Sequence, residues 1–227
     1  MLRIGVDVGG TFTDLVGVDD AGRVTLAKSA STPADPSIGV MDGLELLATE
    51  LGTDLGGLLA DTGLVVHGTT VATNALLERK GARVGLLTTE GHRDVIEMRE
   101  GLKDDRYNLR MPAPEPLVSR ARRLGVRERM RADGTVAAPL DAGSLDRAVA
   151  ALGRDGVEAV AVCYLHAYRD DRHEAATRRV LERALPGVYV SLSSAVLPQI
   201  KEYERVSTTV VNAYVGPALS RLSLIHI

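Results

Sequence analysis

Apolar and polar positions alternate from the first residues of the chain. In "LRIGVDV" (2–8), Leu2, Ile4, Val6 and Val8 fall on one face of an extended strand, while Arg3, Gly5 and Asp7 fall on the other. After Gly9-Gly10 the stretch "FTDLVGVDDAGRVTLAKSAST" predicts two further strands joined by a tight turn at Asp20-Ala21-Gly22, so the chain opens as an antiparallel meander. The period then lengthens. Ile38, Met41, Leu44, Leu47 and Leu51 are spaced for a helix, with Asp35 as N-cap before Pro36 and Gly52 as the stop. In "GLVVHGTTVATNALLERKG" a short apolar run ends at His67-Gly68, and Val71, Ala75 and Leu76 lie on a following helix that Gly81 ends. "ARVGLLTT" predicts a strand and "EGHRDVIEMRE" a short helix.

Residues 101–116 turn polar and proline-bearing, predicting an ordered surface loop on which Tyr107, Leu109 and Met111 are available for docking. Asp133-Gly134, between "RRLGVRERM" and "TVAAPL", predicts a hairpin. A repeated unit follows: helix in "DAGSLDRAVAALGRDG", buried strand in "VEAVAVCYL", helix in "DDRHEAATRRVLERALPG", strand in "VYVSLSS". Ile200, Tyr203, Val206, Val210 and Tyr214 place a long helix over 198–217, of the kind that crosses between subdomains. "RLSLIHI" breaks the pattern after Pro217, and residues 218–227 are expected to be a truncation scar.

Composition narrows the class. With 227 residues, 45% hydrophobic and 25% charged, the chain has the make-up of a soluble globular protein. Its 27 basic and 30 acidic residues are interspersed, with no block long enough to follow a phosphate backbone, so nucleic acid is not an expected partner. No window approaches eighteen consecutive apolar residues and the start lacks a leader pattern, which predicts no membrane association and a cytoplasmic location. The single cysteine, Cys163, lies in an apolar run and reads as an inert core thiol. His166 and His173 lack metal-ligand partners at useful spacing, and no zinc site is expected.

The chemistry concentrates in two places. At "IGVDVGGTFTD" (4–14), adjacent glycines let the backbone turn sharply and present amides that bind an anion such as phosphate. Thr11 and Thr13 add hydroxyl donors, and Asp7, opposite the core set, suits Mg2+ held through water. There is neither a G-x-x-x-x-G-K-[ST] loop nor a G-x-G-x-x-G opening a helix. A bare D-x-G-G is equally compatible with an ordinary hairpin. The second constellation is His67, Gly68, Thr69, Thr70 and Asn74, where a strand end, two hydroxyls and a helix start are a seat for a carbonyl or phosphoryl oxygen. The alternative is that Thr69 only caps the helix and Asn74 only binds backbone. Arg93, Asp94, Glu97 and Arg99 read as a solvated helix face or as lining for a substrate cleft.

Three ordered segments carry a resemblance: "DVGGTFTD", "VVHGTTVATNALLERKGARVGLLTTEGHRDVIEMRE" and "EYERVSTTVVNAYVGP". They resemble the N-terminal region of the hydantoinase/oxoprolinase family, within the actin, Hsp70 and sugar-kinase ATPase superfamily. The resemblance implies an α/β, ribonuclease H-like, actin-type ATPase lobe over residues 1–217, beginning with the antiparallel meander and continuing as alternating α/β units. It implies a phosphate-binding core at 1–90, an inserted or adjoining α/β subdomain at about 91–190 and a crossing helix at 198–217. It also implies ATP and Mg2+ as cofactors, with Gly9, Gly10, Thr11 and Thr13 holding phosphates, Asp7 on the metal side and Asp14 orienting the turn or a water. His67, Thr69, Thr70 and Asn74 would then be catalytic.

The implied reaction is ATP-dependent phosphorylation of the amide oxygen of a cyclic amide such as 5-oxoproline or a hydantoin, followed by hydrolytic opening. Relatives activate ketones for carboxylation. The implied partners are the small-molecule substrate and a hydrolase subunit, in an oligomer. The superfamily's second phosphate motif and adenosine pocket are not in this sequence, so the chain alone is expected to be catalytically incomplete. A small-molecule kinase and a non-catalytic nucleotide-sensing module remain rival expectations.

Overall fold

The computed structural model describes residues 1–32, 35–101, 105, 107–112 and 114–223, the last three by backbone only. Its chain divides into two compact units, Met1–Lys80 with the residues from Ala218 on, and Gly81–Pro217.

The first unit is built on the expected meander. Strands β1 (Leu2–Val8), β2 (Phe12–Val18) and β3 (Val24–Ala30) pair antiparallel in sequence order. Helices α1 (Pro36–Glu50) and α2 (Leu55–Asp61) follow, and then β4 (Thr62–Thr69) pairs parallel with β1, giving the order β3-β2-β1-β4. The short α3 (Val71–Leu77) closes the unit. Leu2, Ile4, Val6, Val8 and Leu15 bury one sheet face against Val40, Leu44, Leu47 and Ala48 of α1. The face of α1 that packs differs from the one its large residues suggest. Ile38, Met41 and Leu51 are exposed, whereas Gly39 and Gly43 are buried. A Cβ on Gly39 would stand 2.7 Å from the Ala30 carbonyl oxygen, and one on Gly43 would stand 2.2 Å from Leu15 Cδ1. The helix therefore turns its glycine stripe to the sheet, because close approach buries more of the apolar β1 face than bulky side chains would allow. Asp35 caps α1 as expected, accepting from the Ser37 N–H at 3.1 Å. The unexpected α2 has the same device, with Asp54 accepting from the Gly57 N–H at 2.7 Å.

The second unit contains β5 (Val84–Thr89), the single turn α4 (Val95–Met98) and β6 (Arg123–Val126). Next come a small hairpin of β7 (Arg129–Met130) and β8 (Val136–Ala138), then α5 (Ala142–Arg154) and β9 (Ala159–Cys163). The unit ends with α6 (Arg172–Ala184), β10 (Tyr189–Leu192), the turn α7 (Ser193–Val196) and the part of α8 (Glu202–Ser223) that runs as far as Pro217. Strands β10-β9-β5-β6 form a wholly parallel sheet, and β5 and β9 are buried on both faces. The stretch "RRLGVRERM" is not one hairpin arm. Its first half is β6 in the parallel sheet, held there by the buried Arg123, which donates to Val118 O at 2.9 Å and Glu97 Oε2 at 2.6 Å; only Arg129–Met130 pairs with β8. Helix α8 starts at Glu202 and runs through Pro217 to Ser223, so the expected break at 218 is helical as far as 223; residues 224–227 lie outside the described residues. Of the loop over 101–116, residues 102–104, 106 and 113 also lie outside them, while Tyr107 and Leu109 are exposed. Among the described residues no helix is long and apolar enough to cross a membrane.

Candidate functional site

The glycine turn is a tight reversal between β1 and β2. Gly9 N–H donates to Phe12 O at 3.0 Å, and among the described residues no protein acceptor takes the N–H of Gly10 or Thr11. A short relay holds the turn from behind. Ser31 Oγ donates to Gly9 O at 2.8 Å, which consumes its only hydrogen. The 3.1 Å contact between Ser31 Oγ and Thr13 Oγ1 must then have Thr13 as donor. Ser31 N–H also donates to Thr11 O at 2.9 Å. Thr13 is fully buried. Its predicted contact to phosphate is corrected accordingly: alternation along β2 turns it inward, and its hydroxyl supports the turn.

Pleating divides the remaining candidates. Across the sheet Lys28, Asp14, Asp7 and Gly68 are register partners on the exposed face. Lys28 Nζ sits 2.8 Å from Asp14 Oδ1 and 4.7 Å from the centre of the Phe12 ring. Among the described residues no cation pairs with Asp7, whose Oδ1 would be 3.5 Å from a Cβ added to Gly68. Asp7 is thus the available carboxylate and Asp14 the neutralised one. One exposed carboxylate fits a Mg2+ ion that keeps several waters and takes its other ligands from phosphates. No group of three or more His, Cys, Asp or Glu residues able to hold a metal by itself occurs among the described residues.

His67 and Thr69 pair with Val6 and Val8 and so lie on the opposite, core-side face. Thr69 Oγ1 donates to Val8 O at 3.2 Å and accepts from the Val71 N–H at 3.1 Å, fastening β4 and the start of α3 to the end of β1. Thr69 thereby acts as a clip between the two strand ends and the helix. Thr70 N–H reinforces it by donating to Val8 O at 3.3 Å. Asn74, one turn along α3, is brought to the glycine turn: its Nδ2 lies 3.2 Å from the position of a Cβ on Gly10 and 3.2 Å from Thr70 Oγ1. A cleft of ≈ 320 Å3 opens there, lined by Gly9, Gly10, Ser31, Thr32, Asn74 and Lys80. Gly10 and Asn74 therefore meet at one opening with Thr70 bound to Asn74, Asp7 and Asp14 occupy the exposed sheet face, Thr13 supports the turn from within, and His67 and Thr69 lie on the core-side face. Sequence reading missed Ser31 and Lys80. The signal for Ser31 was a hydroxyl just past the end of β3, in the same alternation that buries Ser29, which needs a partner somewhere.

Comparison with known proteins bears on the family and the fold. The family described as "Hydantoinase/oxoprolinase N-terminal region" matches residues 3–185. The chain is 42% identical over 221 residues to caprolactamase subunit alpha of Pseudomonas jessenii, covering 96% of this chain and 32% of that subunit. It is 38% identical over 224 residues to the acetophenone carboxylase gamma subunit of Aromatoleum aromaticum, covering 93% and 30%. The crystal structure of the ATP-dependent caprolactamase from Pseudomonas jessenii is similar with a TM-score of 0.84 at 40% identity, covering 99% of this chain and 33% of that one. The chain spans about a third of the length of these relatives. That likeness bears out the expected α/β, actin-type ATPase lobe. Matched along most of its length and carrying the motifs in their expected order, the chain belongs to the hydantoinase/oxoprolinase N-terminal region family.

Proposed function

We propose that this chain supplies the phosphate-holding lobe of an enzyme that uses ATP to activate the amide of a lactam for hydrolytic ring opening. The observation that carries the reading is the Gly9-Gly10 turn, which lines the ≈ 320 Å3 cleft and whose Gly10 and Thr11 amides have no protein acceptor among the described residues. A lactam carbonyl is a poor electrophile and its oxygen a poor leaving group. Phosphoryl transfer to that oxygen cures both faults and releases ADP. Water then adds at the ring carbon and the C–N bond breaks, releasing the amine and leaving an acyl phosphate, which a second water hydrolyses to the carboxylate and free phosphate, so that an amino acid remains.

The chain's own residues contribute position and charge. Gly10 and Thr11 amides stabilise phosphoryl oxygens without reorganising, because the Thr13–Ser31–Gly9 relay fixes the turn. Asp7 holds the metal side through water, and Mg2+, when bound, neutralises charge on the transferring group. Asn74 and Thr70 offer an amide and a hydroxyl at the opening. His67, at the β4 end on the core-side face, completes the set as the expected catalytic imidazole. A partner subunit and an oligomeric assembly follow from the same reading, since the relatives named above are subunits. A second reading, activation of a ketone for carboxylation, is favoured by the 38% identity to the acetophenone carboxylase subunit, and uses the same turn on an enolate oxygen.

The test places Gly10→Val and Asp7→Asn in a protein that carries this chain at the full length of its relatives. ADP and ring-opened amino acid are measured with a panel of lactams, 5-oxoproline and hydantoins. Equimolar lactam-dependent release of both, lost in the two variants, supports the proposal. Bicarbonate-dependent consumption of a ketone supports the second reading, a stable phosphorylated product points to a kinase, and unchanged turnover in Gly10→Val removes the turn from the mechanism.

A further inference from the structure

The outer row of the first sheet carries an arrangement that phosphate binding leaves unused. Strand register sets Lys28, Asp14, Asp7 and Gly68 side by side across β3, β2, β1 and β4, all on the exposed face. Like charges directly opposite on paired strands repel, their Cβ atoms being about 4.5–5.5 Å apart. Two features of the row relieve this. On one side Lys28 takes Asp14: its Nζ lies 2.8 Å from Asp14 Oδ1 and, 4.7 Å from the centre of the Phe12 ring, is also held by a cation–π contact. On the other side Gly68 has no side chain, and Asp7 Oδ1 would stand 3.5 Å from a Cβ placed there, which leaves open space beside the Asp7 carboxylate. The row is thus cation, anion, anion, gap. An exposed ion pair of this kind adds little to stability, so its effect lies in where it points the Asp14 carboxylate.

A groove of ≈ 350 Å3 runs over this row, lined by Gly5, Asp7, Asp14, Val66 and Gly68 among others, so there is room for a hydrated divalent ion beside both carboxylates. Two carboxylates on neighbouring strands of one exposed face can share such an ion, and the affinity of an oxygen site rises with the number of charged ligands. With Asp14 tied to Lys28, only Asp7 is offered. A hard cation that keeps most of its waters on one carboxylate is then retained only when phosphate oxygens complete its shell.

We propose that Lys28 makes metal binding depend on nucleotide: by holding Asp14, it withholds the second carboxylate from a divalent cation at Asp7. The inference rests on the proposed assignment of Asp7 to the metal side. Lys28 is a positioning residue in it, acting through Asp14. The test titrates Mn2+ into the purified chain without nucleotide and follows free Mn2+ by electron paramagnetic resonance. Binding to the unaltered chain is weak. Lys28→Met tightens it about thirtyfold, the effect of one negative charge brought to about 4 Å from a divalent ion in water. Lys28→Arg, which keeps the ion pair, leaves it weak. In the Asp14→Asn background Lys28→Met changes it less than about threefold, because only the screened field of a more distant charge is then removed. The proposal is overturned if Lys28→Met leaves Mn2+ affinity unchanged, or tightens it equally with Asp14→Asn present, since net charge alone would then account for the change. Asp7→Asn separates this inference from the reading beneath it. If it abolishes Mn2+ binding while Lys28→Met has no effect, only the role of Lys28 falls; if Lys28→Met binds Mn2+ as tightly with Asp7→Asn as without it, the assignment of Asp7 fails and takes this proposal with it.

Discussion

Replacing Ser31 by alanine tests whether the glycine turn is held in shape by the relay behind it. The substitution removes the donor to Gly9 O and the acceptor for Thr13 Oγ1 at once. The Thr13 hydroxyl is fully buried, and leaving it unsatisfied costs about 1–3 kcal/mol. Gly9 O is half-buried and within reach of water, so its loss is an ordinary hydrogen bond of roughly 0.5–1.5 kcal/mol. Ser31→Ala should therefore destabilise the first unit by about 2–4 kcal/mol in urea denaturation. Most of that figure is the orphaned hydroxyl, which gives the test its sign. Adding Thr13→Val to Ser31→Ala removes the orphan and should recover about 1–2 kcal/mol, so the pair is non-additive in the stabilising direction. A more relaxed turn should also weaken MgATP binding in Ser31→Ala. If Ser31→Ala changes stability by less than about 0.5 kcal/mol, or Thr13→Val deepens its loss, the relay is not what holds the turn.

Other expectations follow from single contacts. Gly10→Ala places a methyl 3.2 Å from Asn74 Nδ2 in the mouth of the cleft, and nucleotide affinity measured by calorimetry should fall while the melting temperature barely moves. Gly43→Ala drives a methyl to 2.2 Å from Leu15 Cδ1, and overpacking at this helix–sheet contact should cost about 1–3 kcal/mol by urea denaturation. Burial pushes the Cys163 thiol up to about 12, so at pH 8 it should resist iodoacetamide in the native protein and react fully in urea, as mass spectrometry can count. The Ser144 N–H, bound at 2.7 Å, and its hydroxyl hold the Asp141 carboxyl below the usual aspartate range of about 3.9. Because the folded value is the lower one, this cap stabilises above the unfolded pKa and is lost as pH falls through the folded one. Asp141→Ala should lower the melting temperature at pH 7, and the gap to the unaltered chain should close under acid conditions.

Much of this molecule was legible in local pattern. Alternation in "LRIGVDV" and the small residues of "DVGGTFTD" specify a strand that ends in a bare turn, since side-chain period and glycine permissiveness are properties of the residues themselves. The cap at Asp35, the strand β5 and the buried strand β9 could be read for the same reason. Tertiary structure decided which of the threonines reach solvent. Thr11 and Thr13 are two residues apart, yet one is exposed and the other buried, because α1 and Ser31 close over the inner face. The division of "RRLGVRERM" between two sheets depended on a parallel partner more than thirty residues earlier, which no local period encodes. The glycine face of α1 was chosen by the closeness of β3, not by the hydrophobicity of Ile38 or Met41. The relay through Ser31 and the charged row from Lys28 to Asp7 are likewise products of register and packing over long chain separations. Short-range periodicity names the elements; which faces meet, and which polar groups are left to bind something else, is settled only when distant segments compete for the same buried space.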